Sequence, residues 1–317
     1  MGATEALSYA FSITGPVFVM MGLGLALRRL RVIDHNFIEI SSKLVFTVCL
    51  PILLFLSIQN APIPGRESAL ILFVGVVCTL LAFVLLSLIA RLVVPDARDR
   101  GVFVQGSFRS NLGILGLAFA AKAYGEEGLA LASIIMAVLT ILYNILSVVT
   151  LNQSLQQQGN SRVWAAITGI AKNPLIIAIV LSLLLKFLSI RLPEVILDAG
   201  AYVASMTLPL ALLCIGGTLS LSGLKRSSKV AAWASLFKLI IIPGGTLAVA
   251  VALGIQGLGL GVLFLLVAVP TAAASYIMVE AMKGNAELAA NIVALSTLLS
   301  VFSVSAGLFI LKTLELI

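Results

Sequence analysis

Charge is what this 317-residue chain has least of. Only 10% of its residues are Asp, Glu, Lys or Arg, against 61% that are hydrophobic. A soluble domain carries about 25% charged residues, so a soluble enzyme and a nucleic-acid binder are both excluded. A single histidine, His35, lies in a charged loop and leaves no cluster for zinc or for nucleophilic catalysis. Three cysteines, Cys49, Cys78 and Cys214, all fall within apolar runs and read as small buried hydrophobes, with no disulfide framework. No metal or cofactor is expected, and the protein is not expected to be an enzyme. No Lys or Arg precedes the first apolar run, whereas Arg28, Arg29 and Arg31 follow it. That order is wrong for a cleavable signal peptide and right for a first helix that starts outside.

What the chain does have is apolar length. Its mean hydropathy is +1.17, the mark of an all-α polytopic membrane protein whose solvent is the lipid bilayer. Ten apolar segments are predicted, at Leu7–Leu27, Phe37–Ile58, Ser68–Val94, Gly101–Ala121 and Gly128–Thr150, then Val163–Leu188, Pro193–Leu219, Val230–Leu253, Gly257–Met282 and Glu287–Leu311. The polar stretch LNQSLQQQGNSR, residues 151–162, separates residues 1–150 from 163–317 and reads as a cytoplasmic linker. With the amino terminus outside, thirteen of the 20 Lys and Arg fall on the inner side and five on the outer side. This asymmetry favours both termini outside. Arg109 and Lys238 belong to neither side.

The halves repeat each other. Pro16 and Pro51 stand 35 residues apart, as do Pro174 and Pro209, and an offset of 158 also aligns Gly65 with Gly223 and Gly101 with Gly259. After one inserted residue, Gly125 aligns with Gly284 and Leu139 with Leu298. Proline and glycine positions constrain backbone shape, so their register is more telling than that of matching leucines. Five spans per copy is odd, so the second copy enters from the opposite face as a 5+5 inverted repeat.

The stretch QGSFRSNLGILG, Gln105 to Gly116, interrupts span 4. Arg109 to Asn111 there lie roughly 12–15 Å deep, near the middle of a ~30 Å hydrocarbon layer. A guanidinium at that depth costs at least ~2.5 kcal/mol, so Arg109 must face protein, water or a ligand. The repeat pairs Asn111 with Pro270 of VAVPTAAASY in span 9, where proline breaks the helix. Spans 4 and 9 are therefore expected to be broken, antiparallel and crossing at the midplane. Each half-helix that begins there offers free N–H groups and a partial positive charge, and Arg109 adds a full one: a site for a small carboxylate.

The candidate substrate-binding residues are Arg109, Ser110, Asn111, Asn144, Lys238, Pro270, Thr271 and Tyr276. Each has a plainer use. Arg109 suits tying down carbonyls freed by the break, and Ser110 and Asn111 suit capping. Lys238 suits snorkelling or bracing, Asn144 gluing helices, and Tyr276 packing. None of the 13 acidic residues falls at a midplane. That counts against a cation/proton antiporter, which needs buried carboxylates, and leaves a sensor that binds the anion without moving it as the other alternative.

FRSNLGILGL in span 4, TLPLALLCIGGTL in span 7, KLIIIP in span 8, PTAAASY in span 9 and ANIVALSTLLS in span 10 resemble a bacterial auxin efflux carrier. That family is similar to bile acid, arsenite and riboflavin transporters; its bacterial members are described as malonate and malate permeases and its plant members as auxin exporters. The resemblance implies a secondary transporter of small organic anions in the bacterial cytoplasmic (inner) membrane. It also implies a scaffold of spans 1, 2, 6 and 7, often dimeric, and a moving transport domain of spans 3–5 and 8–10. It places the crossover site on Ser110, Asn111, Pro270 and Thr271, and a span 5 asparagine at Asn144. Two departures stand against auxin itself as substrate: Ser110-Asn111-Leu112 has no proline, and the long plant loop is reduced to residues 151–162.

Overall fold

The computed structural model describes residues 3–60, 66–155, 174–190, 192–218 and 229–317. All regular structure among them is helical. The first helices are α1 (Ala3–Arg29), α2 (His35–Leu44), α3 (Leu50–Asn60) and α4 (Arg66–Val93). They are followed by α5 (Arg100–Phe108), α6 (Leu117–Ser154), α7 (Pro174–Phe187) and α8 (Glu194–Thr218). The last are α9 (Lys229–Leu236), α10 (Ile242–Ala252), α11 (Gly257–Ala268), α12 (Ala274–Ala281) and α13 (Ala286–Thr313). Wider π turns at Val45–Cys49, Leu112–Gly116 and Phe237–Ile241 join α2 to α3, lead into α6 and join α9 to α10.

Seven helical runs among the described residues are long and apolar enough to cross a bilayer, and Pro174–Phe187 and Gly257–Ala268 are shorter apolar helices. The protein is thus a multi-pass helical membrane protein. The count falls short of the ten predicted segments. Spans 4 and 9 are split by breaks, and the start of span 6 and most of the linker lie outside the described residues. The run Leu112–Ser154 has 43 residues, which at 1.5 Å each is about twice the hydrocarbon thickness. Gly125 divides it, with φ 60° and ψ −145°, a conformation that only glycine adopts at no steric cost.

The offset of 158 that aligns prolines and glycines also aligns contacts. Arg28 Nη1 donates to the Gly217 carbonyl at 3.1 Å; its counterpart Lys186 donates from Nζ to the Gln59 carbonyl at 3.0 Å. Four residues earlier, Gly24 lies so close to the Leu213 carbonyl that a Cβ would not fit. At the matching place Ser182 Oγ donates to the Phe55 carbonyl at 2.8 Å. The α1–α8 and α3–α7 pairs are therefore built on one plan, one using a glycine for backbone approach and the other a hydroxyl. An apolar groove of about 430 Å³ opens between α3, α7 and α8, lined by residues such as Pro51, Phe55, Leu181 and Gly200.

Candidate functional site

Two helices stop short and meet. α5 ends at Phe108, Arg109 is extended (φ −77°, ψ 104°), and helical turns resume at Leu112. α11 ends at Ala268, Val269 is extended (φ −63°, ψ 153°), and α12 resumes at Ala274. The second break follows from Pro270, whose ring pushes Val269 out of the helical region and whose missing N–H leaves the Leu266 carbonyl without its helical donor. The first has no proline. Ser107 Oγ turns back on the Phe103 carbonyl at 2.7 Å, and Thr271 Oγ1, from the other break, takes the Gly106 carbonyl at 2.6 Å. Both compete with continued helix.

The two extended pieces pair as a single antiparallel bridge, Ser110 opposite Thr271. Asn111 N–H donates to the Pro270 carbonyl at 2.9 Å, and Ala272 N–H donates to the Arg109 carbonyl at 3.1 Å. Thr271 N–H is taken by Ser296 Oγ of α13 at 3.1 Å. The Val267 carbonyl, which that N–H would have met in a helix, accepts instead from Lys238 Nζ at 2.6 Å and from Ser110 Oγ at 3.4 Å. Main-chain polar groups in hydrocarbon must find partners inside the protein, and here side chains and the opposite break supply them.

Arg109 is 7% exposed. Its Nη2 donates to Asn144 Oδ1 at 2.7 Å, and Nη1 lies 3.4 Å from Ser147 Oγ and 3.5 Å from Met278 Sδ. All three partners are neutral, so the guanidinium is oriented but not neutralised. Lys238, fully buried, takes the role that sequence offered for Arg109: it binds the carbonyl freed by the break, at the negative end of α11. Beyond the breaks, neither Asn111 nor Ala273 makes a side-chain cap to the helix that follows. Two helix starts are thus uncapped, with Asn111 and Ala272 half-buried and Ala273 exposed.

The structure brings Arg109, Ser110, Asn111, Asn144, Lys238, Pro270 and Thr271 into one cluster. Tyr276 stands apart from it, half-buried one turn into α12 and directed toward Glu280. Sequence reading passed over four members. Met278 Sδ accepts from Gln105 Nε2 at 3.3 Å as well as meeting Arg109, Tyr143 Oη lies 3.5 Å from Ser110 Oγ, and Ser147 and Ser296 bind as described. Gln105 stands one turn before Arg109, and Ser147 follows Asn144 at helical spacing. Those spacings were the available signals. Nothing distinguishes Met278 from a core methionine until the fold is in hand.

Spanning helices with a polar, main-chain-built junction define a transporter-like membrane protein. The family described as membrane transport protein matches residues 12–307, and the chain belongs to this family, that of the auxin efflux carriers. It is 24% identical over 296 residues to the uncharacterized transporter MJ1031 of Methanocaldococcus jannaschii, covering 91% of this chain and 94% of that protein. The family and this relative are transporters, not enzymes.

Proposed function

We propose that the protein is a secondary active transporter of small organic anions, carboxylates above all, which binds its substrate where the broken helices cross and moves it by alternating access. One observation carries the reading. Among the described residues the guanidinium of Arg109 is held by neutral acceptors only, beside two uncapped helix starts, so positive charge accumulates there without a carboxylate bound to it. Ser110, Asn111, Pro270 and Thr271 frame the substrate, Asn144 aims Arg109, and Lys238 braces the frame from behind.

In this reading the chain crosses the bacterial inner membrane ten times as a 5+5 inverted repeat, with both termini outside. The breaks lie at the midplane. The contacts repeated at the 158-residue offset support the repeat. Spans 1, 2, 6 and 7 form the scaffold, a homodimer through its helices, and spans 3–5 and 8–10 carry the site. Uptake of a panel of radiolabelled mono- and dicarboxylic acids into proteoliposomes, with and without imposed proton and sodium gradients, tests the function. Accumulation of at least one acid is expected. Failure of every acid beside active uptake of a neutral solute or a cation sinks the reading.

A further inference from the structure

The partners of α1 change halfway along its length. In its first half, the Tyr9 ring lies under Lys312 Nζ of α13, 4.7 Å from the ring centroid. One turn on, Thr14 Oγ1 is 2.9 Å from Ser305 Oγ of α13, and Thr14 is 1% exposed. Phe18 meets Phe119 of α6 with ring centroids 5.8 Å apart. Tyr124 of α6 closes over Gly261 of α11, where no Cβ would fit, with its hydroxyl toward Tyr9. In the second half the neighbour is α8: Met21 touches Gly216, Gly24 touches Leu213, and Arg28 binds the Gly217 carbonyl.

The first set joins the scaffold to the transport domain; the second joins scaffold to scaffold. Any relative motion of the two bodies must break the first set and spare the second. The two sets also differ in make-up. The scaffold contacts are main-chain approaches at Gly24 and Gly216, with no room for a side chain between them, and the Arg28 bond to the Gly217 carbonyl. The cross-domain contacts are a ring face under an ammonium, a hydroxyl pair and tilted rings, each of which can part and reform at small cost. Each hydroxyl of the pair also reaches a carbonyl of its own helix, Thr14 that of Ala10 and Ser305 that of Val301. With one proton each, one of them donates across the pair and the other to its own helix, and both turn to their own carbonyls on separation. Neither is therefore stranded when the bodies separate. α11, which leads from that face to the break, is buried from Gly259 to Ala268, whereas Ala273 and Ala274 beyond the break are exposed.

We propose that Tyr9, Thr14 and Phe18 of α1, against Lys312, Ser305 and Phe119, form the gate that closes the substrate path on the face where α1 begins. The structure then represents the state closed on that face. This rests on the two-body reading above, but its test needs no substrate.

In a background with Cys49, Cys78 and Cys214 replaced, cysteine at Ala273 reports access from that face to a membrane-impermeant maleimide in oriented vesicles. Removing one cation–π contact, by Tyr9→Ala or Lys312→Met, is expected to raise the labelling rate roughly two- to fivefold. Tyr9→Phe keeps the ring face and loses only the hydroxyl beside Tyr124, so it is expected to label more slowly than Tyr9→Ala. A disulfide between Thr14→Cys and Ser305→Cys is expected to block labelling and to be reversed by reductant. Unchanged labelling in both Tyr9→Ala and Lys312→Met, or full labelling of the cross-linked protein, overturns the gate. Should no acid be transported by the parent protein, the substrate reading fails and the labelling result still stands on its own.

Discussion

The main-chain N–H of Asn111 donates to the carbonyl of Pro270, 159 residues away, at 2.9 Å. The two residues are counterparts at the sequence offset of 159, and in the proposed repeat the break in each half is closed by its equivalent in the other. Pro270→Ala returns a helical donor to α11 and lets Val269 re-enter the helix. The expected result is a folded protein whose uptake falls at least about fivefold, the scale of one lost neutral main-chain hydrogen bond. Uptake equal to the parent's would show that the break is dispensable.

Arg109→Gln separates a binding role from a bracing one. Hydrogen bonds to charged groups contribute roughly 1.5–3 kcal/mol, so substrate affinity is expected to fall about ten- to a hundredfold. Arg109→Lys is expected to recover only part, because a point charge lacks the planar fork. Isothermal titration together with the melting temperature of the substrate-free protein decides the matter. Unchanged affinity with a lowered melting temperature would assign Arg109 to the frame.

Lys238 is expected to behave in the opposite way. Lys238→Met keeps the stem but leaves the Val267 carbonyl with only the long contact to Ser110 Oγ. An under-satisfied buried carbonyl costs about 1–3 kcal/mol, so thermal stability in detergent should fall while affinity in the surviving protein changes less than in Arg109→Gln. A substrate affinity lost as in Arg109→Gln, with no change in melting, would move Lys238 into direct contact with substrate.

The α1–α8 pairing offers a test with its own control. Gly24→Ala and Gly216→Ala each drive a methyl into the facing main chain, whereas at Gly22, on the same helix, nothing lies within 4 Å. The first two are expected to lower stability by about 1–3 kcal/mol through overpacking. Gly22→Ala should be neutral or stabilising by up to about 1 kcal/mol. Equal melting temperatures for all three would contradict the close approach.

Both breaks were legible in the sequence, for different reasons. Pro270 announces itself, because a proline inside an apolar run has one mechanical meaning. The span 4 break was readable only from the density of Gly106, Ser107, Ser110 and Asn111 and from its repeat partner. What closes it, the Thr271 hydroxyl on the Gly106 carbonyl, joins positions 165 residues apart and leaves no local trace. The same holds for Lys238. Its depth in an apolar run shows that it needs a partner, but a main-chain carbonyl carries no sequence signature. Arg109, expected to face protein, water or a ligand, meets Asn144, itself a candidate from sequence, and Ser147. Met278 was invisible because a sulfur acceptor and a core methionine are the same letter.

The junction of the two breaks is held by the N–H and carbonyl groups of Arg109, Asn111, Pro270 and Ala272. Groups that every amino acid carries are indifferent to most substitutions. A chain built this way is expected to accept exchanges of wall residues while the main-chain frame persists. Mutational scanning should therefore find Ala272 permissive, and Pro270 and Gly106 strict beside the charged residues Arg109 and Lys238, Pro270 because it sets the break and Gly106 because a methyl there would meet the Ile292 side chain. Substrate preference can then evolve by changes at Ser147 or Met278 without the frame being rebuilt.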